Sequence, residues 1–441
     1  MKKSCILNIL LLIAFILNLK GQNPIVPAGM YIADPSAHVW KDGKIYIYGS
    51  RDESPGYYCS WSHHVLSSSD LISWTITENS FASKGAGDQV SYSDDFLYAP
   101  DCQYKNRKYY LYYCLANNTN TEGVATSNSP TGTFTNGTPI KLKGINEIDP
   151  CVFIDDDGQA YYIWGQFTAK MAKMKPNMME IDSTTIKDKI VTEKEHFFHE
   201  GGYMVKRKGI YYFVYAHMGR AGRPTCIGYA TSKSPMGPFK YGGVIIDNDH
   251  CDPGCWNNHG SIAEFKGKWY VFYHRSTNGS YTMRKACVEP ITFNKDGSIN
   301  EVEMTTQGAG DPIKANSKID AERACLLYGN VRVEAISENN EALCKIKNDD
   351  AAAYKYLNFN ALVDSIEIKL FPGAKPFTIA VSIDSPWGKR LCTVDVPGGF
   401  DGKTTQVIKS PISKAEGIHA VWFKFWGETD DLVKVDWFQF F

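Results

Sequence analysis

The sequence predicts an all-β protein: a five-bladed β-propeller followed by a β-sandwich of jelly-roll type. A short aromatic-rich strand pattern recurs five times within residues 24–310, and residues 319–441 read as short alternating strands. Aromatic residues, which favour strands, make up 13% of the chain. The length of 441 residues exceeds one ordinary core and fits two domains.

Each copy of the repeat is a turn containing Gly, Asn or Lys, followed by a strand. The copies are DGKIYIYG (42–49), KNRKYYLYY (105–113), DDGQAYYIWG (156–165), KRKGIYYFVY (206–215) and FKGKWYVFY (265–273). Their equivalent tyrosines are Tyr46, Tyr110, Tyr161, Tyr211 and Tyr270, spaced by 64, 51, 50 and 59 residues. These periods suit four-stranded units, so five units predict a propeller, whereas an irregular sandwich leaves the repeat unexplained.

A second pattern emerges eleven or twelve residues before each tyrosine. The positions there are Asp34, Tyr98, Asp149, Glu200 and His259. They fall on or just before the first strand of each unit, and we expect first strands to line the central channel of a propeller. Asp-Pro pairs such as Asp34-Pro35 are, taken singly, more often turns than catalysts. Their shared phase in the repeat instead predicts a catalytic centre with three carboxylates.

Paired carboxyl groups are the usual means of cutting a glycosidic bond. One is protonated and donates to the leaving oxygen, while the other is ionised and activates water or attacks the sugar. A third acid nearby raises the pKa of the donor by like-charge repulsion. Two aspartates and one glutamate on three blades therefore predict a glycosidase.

The sequence resembles glycoside hydrolase family 43 over nearly all of residues 24–310. The matching stretches are ADPSAHVW (33–40), YAPDCQYKNRKYYLYY (98–113), EIDPCVFIDDDGQAYYIWG (147–165), HEGGYMVKRKGIYYFVY (199–215) and NNHGSIAEFKGKWYVFYHR (257–275). The resemblance implies an inverting enzyme in which Asp34 is the general base, Asp149 tunes and orients the acid, and Glu200 is the general acid. Inversion requires roughly 6.5–9.5 Å between base and acid.

Further site residues follow from the same resemblance. His259 matches a histidine that helps to hold a structural Ca²⁺ at the propeller centre, often through water; the alternative is a histidine satisfied by polar neighbours. Arg275 lies in a region where an arginine of several members reaches the bound sugar, and the alternative is an exposed structural arginine. Tyr98 and Trp164 are candidates for stacking on sugar, and the alternative for both is packing between blades. No organic cofactor is expected, and no nucleotide or zinc motif is present.

Residues 319–441 resemble a carbohydrate-binding module of family 6. The carrying stretches are IDAE (319–322), SIDSPWGKRLCTVDVPGG (382–399), GIHAVWFKFWG (417–427) and VDWFQF (435–440). Phe400 stands where a sugar-binding tryptophan commonly follows the paired glycines, so the module is expected to brace the propeller rather than to bind sugar tightly. A polar segment, residues 305–318, reads as the linker.

These features predict an exo-glycosidase that releases arabinofuranose or xylose from plant polysaccharides. Three alternatives stay open: a non-catalytic sugar-binding propeller, a glycosidase of endo-arabinanase or galactose-type specificity, and a retaining fructan hydrolase. The retaining enzyme would hold its two carboxylates at roughly 5–5.5 Å.

The amino terminus predicts export from the cell. Lys2 and Lys3 precede an apolar run at 5–17, which suits a signal peptide over residues 1–21 and is short for a membrane span. We therefore expect a periplasmic or extracellular protein without a stable membrane anchor. The formal net charge of −1 gives no indication of a nucleic-acid partner. Cys251 and Cys255 form either a loop disulfide or two free thiols.

Overall fold

The computed structural model describes residues 22–116, 121–142, 147–220, 222–255, 257–428 and 433–441, with the backbone of one further strand at Phe15–Leu17. The protein is all-β, as predicted. The predicted signal peptide at 1–21 lies outside the described residues, apart from that strand. Within the described ranges, no helix has the length and apolar character needed to cross a membrane.

Residues 31–291 form five consecutive antiparallel sheets, in each of which successive strands pair. The first contains Tyr31–Val39, Ile45–Asp52, Ser62–Ser68 and Trp74–Ala82, with Phe15–Leu17 at its edge. The second contains Asp101–Lys105, Lys108–Cys114, Glu122–Ser127 and Thr135–Pro139. The third contains Cys151–Ile154, Ala160–Trp164 and Lys170–Lys173. The fourth contains Phe198–Arg207, Ile210–His217, Cys226–Ser232 and Lys240–Asp247. The fifth contains Ser261–Phe265, Lys268–Thr277 and Ser280–Ile291.

The first strands of these sheets contact one another in a closed ring, each touching the next and the fifth touching the first. Buried hydrogen bonds join them: Ser36 Oγ donates to Asp101 Oδ1 (2.6 Å), and Val152 N–H donates to Asp101 Oδ2 (2.7 Å). At the ring's closure, Ile25 N–H donates to the Ala286 carbonyl (2.9 Å). The five repeat tyrosines all lie in second strands, so the positions upstream of them meet around one axis.

Few helical turns interrupt the described strands. They are the α-helix Glu193–His196 and the 3-10 turns Gly85–Gly87, Ser183–Thr185 and Ala321–Arg323.

The carboxy-terminal part contains two six-stranded sheets. One is built from Ile313–Lys314, Leu326–Tyr328, Ala351–Asn358, Phe377–Ile383, Arg390–Val396 and Ile418–Gly427. The other is built from Ile319–Asp320, Arg332–Ser337, Asn340–Cys344, Ser365–Pro372, Gln406–Pro411 and Val433–Phe440. Both sheets contribute apolar side chains to one shared core within residues 313–440, so this part of the chain has a core of its own.

Polar contacts fix this second unit to the five sheets. Glu341 is fully buried; it pairs with Lys285 Nζ (2.5 Å) and accepts a hydrogen bond from the Tyr31 hydroxyl (2.8 Å). Arg332 pairs with the buried carboxylate of Asp252 at 2.9 Å. Residues 305–318 are packed rather than loose, since Thr306 is fully buried and its hydroxyl donates to a backbone carbonyl. These contacts fit the predicted bracing role.

The cysteines of the HCDPGC segment form no disulfide. Cys251 and Cys255 are both buried thiols, which selects the second of the two alternatives drawn from the sequence.

Candidate active site

A cleft of about 320 Å³ opens where the first strands meet. All five residues of the predicted ring line it. The complete lining is Asp34, Tyr58, Cys59, Tyr98, Ala99, Ile148, Asp149, Gln166, His199, Glu200, Pro224, Asn257, Asn258, His259, His274 and Arg284. One cleft therefore collects three carboxyl groups, three histidines and one arginine from all five sheets or the loops beside them.

Asp34 is buried at an irregularity in the strand Tyr31–Val39, where its φ of 52° turns the side chain out of the ladder. Arg284 Nη1 donates to Asp34 Oδ1 (2.8 Å), and Ser50 Oγ donates to Oδ2 (2.6 Å). Burial alone would raise the pKa of Asp34, but Arg284, the neighbouring histidines His259 and His274, and the Ser50 hydroxyl bring it to about 2. Asp34 is therefore ionised at neutral pH.

His274 holds the backbone of Asp34. Its Nδ1 accepts a hydrogen bond from the Asp34 N–H (3.2 Å), and its Nε2 lies 2.7 Å from Asn257 Oδ1. Burial lowers the pKa of His274 to about 3, so the ring is neutral and Nε2 carries the proton that the Asn257 oxygen accepts. Asp34 is thereby fixed through both its side chain and its main chain.

Asp149 has the opposite electrostatic environment. Burial raises its pKa well above the ordinary range, and the negative charges of Glu200 and Asp34 raise it further. Its φ is 59°, and its N–H donates to Cys114 Sγ at 3.4 Å. The pKa of Asp149 is therefore shifted in the direction opposite to that of Asp34.

Glu200 lies at a break in the register of the strand Phe198–Arg207. Gln166 Nε2 donates to Glu200 Oε2 (2.8 Å), and His199 Nε2 lies 3.9 Å from the same oxygen. The Glu200 side chain is 24% exposed, whereas the side chains of Asp34 and Asp149 are 6% and 7% exposed. Glu200 is thus the acid that faces the open side of the cleft.

Gln166 is itself held in place. Its N–H donates to Glu147 Oε2 (2.7 Å), and the other oxygen of Glu147 pairs with Lys170 Nζ. This chain of contacts fixes the amide that orients Glu200.

His259 lies between the two aspartates. Its Nδ1 is 3.5 Å from Asp34 Oδ1 and 3.9 Å from Asp149 Oδ2, and burial lowers its pKa. On the other side of the ring, a Cβ at Gly201 would come within 2.6 Å of His259 Nε2. Only glycine leaves room there, which gives the Glu-Gly-Gly sequence a steric reason.

The protein atoms around His259 do not complete a Ca²⁺ site by themselves, so an ion there would take most of its ligands from water. Ca²⁺ takes six to eight oxygen ligands, but Asp34 Oδ1 is already paired with Arg284, and the cavity of about 10 Å³ below the ring is at the limit for one water. Within the described ranges, no cluster of three or more His, Cys, Asp or Glu residues could hold a metal.

Two predicted sugar contacts are wrong. Trp164 is 1% exposed and packs on Tyr162 in the core between sheets, with ring centroids 5.6 Å apart. Arg275 is also buried; it donates to the Thr305 carbonyl (2.8 Å) and pairs with Glu289 (3.4 Å). Neither side chain lines the cleft. Trp164 is buried between sheets, and Arg275 points to the face of its strand opposite to that of its neighbour His274, which does line the cleft.

Arg284 is the cationic residue of the cleft that the sequence analysis missed. It follows Arg275 along the same hairpin, in the third strand of its sheet and therefore outside the turn-and-strand segment that defines the repeat. Gln166 and His274 were missed for the same reason, since each lies outside the repeated positions. Three neighbouring carboxyl groups call for a positively charged side chain nearby, but nothing in the sequence identifies which arginine supplies it.

Paired carboxyl groups with opposed pKa shifts in one cleft are the arrangement with which glycoside hydrolases act. The model for "Glycosyl hydrolases family 43" matches residues 21–299, and that for "Carbohydrate binding module (family 6)" matches residues 320–441. The chain therefore belongs to glycosyl hydrolases family 43.

Relatives and solved structures agree with this assignment. A "Xylosidase/arabinosidase" of Thermoclostridium stercorarium is 29% identical and spans 92% of this chain and 96% of its own. A crystal structure of an arabinoxylan arabinofuranohydrolase from Bacillus subtilis, in complex with cellotetraose, covers 95% of this chain and 97% of its own at 28% identity and a TM-score of 0.56. The structure of CoXyl43, a β-xylosidase/α-arabinofuranosidase from a compost metagenome in complex with xylotriose and in calcium-free form, covers 66% and 99% at 30% identity and a TM-score of 0.55.

Proposed function

We propose that this protein is an inverting glycosidase that releases arabinofuranose or xylose from plant polysaccharides or oligosaccharides. The observation that carries this proposal is that Asp34, Asp149 and Glu200 converge in one cleft with opposite electrostatic environments. Arg284 lowers the pKa of Asp34, whereas burial and the charges of Glu200 and Asp34 raise the pKa of Asp149. Hydrolysis needs one ionised carboxylate as base and one protonated carboxyl group as acid, and we assign these roles to Asp34 and to Glu200, which lies beside Asp149.

The reaction uses the three acids in separate roles. Asp34 takes a proton from a water molecule, which attacks the anomeric carbon from the face opposite the leaving group. Glu200 donates a proton to the leaving oxygen as that bond breaks, so the departing sugar leaves as a neutral alcohol. Asp149 lies in the same cleft as Glu200, and the repulsion between the two negative charges favours a proton on this pair of acids. We also assign Asp149 the role of orienting Glu200.

We propose the five consecutive sheets as the blades of a five-bladed propeller. The closed ring of first-strand contacts supports this architecture. We also propose that residues 24–310 form the catalytic domain and that residues 319–441 form a β-sandwich. The shared core of its two six-stranded sheets supports the second domain.

The choice of sugar rests on the relatives. Arabinose and xylose appear in the names of the relatives that span nearly the whole chain. The hydroxyl groups of arabinofuranose and xylose have a similar spatial arrangement, so we propose both sugars as substrates of the same cleft.

A second function of the carboxy-terminal module is favoured by one exposed ring. Trp387 is 69% exposed, its ring lies 6.5 Å from that of Trp426, and Arg390 lies over Trp426. Aromatic pairs flanked by a hydrogen-bond donor suit sugar rings. We propose that this pair contacts polysaccharide in addition to the bracing role, and retention of the Trp387→Ala variant on insoluble xylan tests it.

Export and calcium stay predictions. The apolar run at 5–17 supports secretion to the periplasm or beyond, which amino-terminal sequencing of the mature protein would test. Calorimetric titration of chelator-treated protein with CaCl₂ tests the predicted ion at His259.

The direct test of the proposed function is incubation of the protein with xylobiose and with arabinoxylo-oligosaccharides, followed by chromatography of the products. Release of free arabinose or xylose that is abolished in Glu200→Gln supports the proposal. Products longer than one sugar would favour an endo-acting enzyme, and binding without release would favour the non-catalytic alternative.

A further inference from the structure

Phe167 is an exposed aromatic residue in a backbone conformation that large side chains rarely adopt. Its side chain is 50% exposed and its φ is 61°. Two backbone hydrogen bonds hold it there: its N–H donates to the His199 carbonyl (2.6 Å), and its carbonyl accepts from the Glu193 N–H (3.0 Å). The ring is therefore presented to solvent by a fixed turn.

A second phenylalanine offers a contrast. Phe197 is 45% exposed with a φ of 58°, but it ends the helix Glu193–His196 in the left-handed conformation typical of helix ends. Its ring packs against His217 and Tyr241, with centroids 5.1 and 5.3 Å away. Helix termination and two ring contacts explain Phe197, whereas Phe167 ends no described helix and leaves half of its side chain exposed.

The turn that carries Phe167 also orients the acid. The preceding residue, Gln166, donates to Glu200 Oε2, and the Phe167 ring lies 5.4 Å edge-on from the His199 ring. His199 Nε2 is in turn 3.9 Å from that same oxygen of Glu200. Phe167 thus lies beside the rim of the cleft next to Gln166 and His199, the two lining residues that contact Glu200.

We propose that the ring of Phe167 is the platform on which the sugar of the leaving group packs. Phe167 would thus form the subsite on the leaving-group side of the cleaved bond. This inference rests on the proposed function. The general acid protonates the leaving oxygen, so the ring attached to that oxygen extends past Glu200 toward Phe167. The C–H face of a pyranose packs on an aromatic ring, and phenylalanine supplies this contact without selecting hydroxyl orientation.

The contribution of this contact depends on the leaving group of the substrate. A platform that holds the departing sugar positions the scissile bond against Glu200, which raises kcat as well as lowering KM. A glycosyl fluoride loses only fluoride and has no ring to place on Phe167. The enzyme is therefore expected to use Phe167 for oligosaccharides and not for glycosyl fluorides.

The test compares kcat/KM for an oligosaccharide with kcat/KM for the fluoride of the released sugar. Phe167→Ala is expected to lower kcat/KM about tenfold for the oligosaccharide and to leave the fluoride within about twofold. Phe167→Trp restores the oligosaccharide value. Phe197→Ala, the matched control, changes neither. Phe167→Asn removes the ring while suiting the positive φ, so it serves if the alanine variant fails to fold.

Two results would overturn the inference. An equal loss on both substrates would make Phe167 a support for His199 and Glu200, and an unchanged oligosaccharide value would leave the ring without a substrate contact. If the unaltered protein cleaves neither compound, the proposed function fails and this inference fails with it.

Discussion

Arg284 donates a hydrogen bond of 2.8 Å to Asp34 from the fifth sheet to the first, and it binds Asp52 with its remaining nitrogens at 2.8 and 2.9 Å. One buried cation is thus shared by two carboxylates. For Asp149, in the same cleft, Arg284 lowers the pKa by less than burial and the charges of Glu200 and Asp34 raise it. The separation of roles among the acids follows from this asymmetry.

The acid limb of the pH profile reports on Asp34. Its folded-state pKa of about 2 lies below the ordinary value, so Asp34 stabilises the fold above that value and loses this contribution as pH falls toward about 2. Ser50→Ala removes the 2.6 Å hydrogen bond to the ionised form. Losing this hydrogen bond raises the pKa of Asp34, so we expect the midpoint of the acid limb of kcat/KM to shift to higher pH by about 0.5–1 unit. An unshifted limb would mean that Asp34 is not the group that titrates there.

Glu200→Gln distinguishes substrates by the leaving group's need for a proton. Removing a general acid costs about 10²–10⁴ in rate when the leaving oxygen is a poor leaving group. We expect a loss in that range for xylobiose and a much smaller one for a nitrophenyl glycoside, whose leaving group departs as an anion. Equal losses on the two substrates would remove Glu200 from the acid role.

Gln166 positions Glu200, so its removal should change kcat more than KM. We expect Gln166→Ala to lower kcat about tenfold, because a misplaced acid costs rate without removing substrate contacts. Gln166→Glu, which places a like charge 2.8 Å from Glu200, is expected to shift the basic limb of the pH profile upward. A rise in KM alone would instead make Gln166 a substrate contact.

The buried pair of Lys285 and Glu341 joins the two units. Glu341→Ala leaves Lys285 buried without its partner, and we expect a loss of about 3–5 kcal/mol in the free energy of unfolding, measured in urea. Glu338→Ala in the same hairpin removes an exposed carboxylate and is the control. A loss below about 1 kcal/mol would show that the contact does not brace the catalytic unit.

The repeat carried most of what the sequence could predict. Asp34, Asp149 and Glu200 share a phase relative to repeated tyrosines, so a rule of spacing found them without knowledge of the fold. Arg284 is not repeated, and its partners lie more than two hundred residues away in sequence. Such a pairing depends on the closure of the ring, which no local pattern records.

The aromatic contacts show a second limit. Trp164 belongs to the motif that resembles the family, so its predicted position is at the sugar. It is buried because its strand is covered on both faces, whereas Phe167, three residues further on, leaves the strand in a turn with positive φ. Strand alternation could not distinguish these positions, since a buried sheet has no polar face.

The stereochemistry of the first product tests the central claim most directly. Proton NMR of a fresh digest, recorded before the released sugar mutarotates, identifies the anomer formed. The account predicts inversion at the anomeric carbon, because a water held by Asp34 attacks while Glu200 protonates the opposite side. Retention of configuration would contradict it, since a carboxylate would then have to act as the nucleophile.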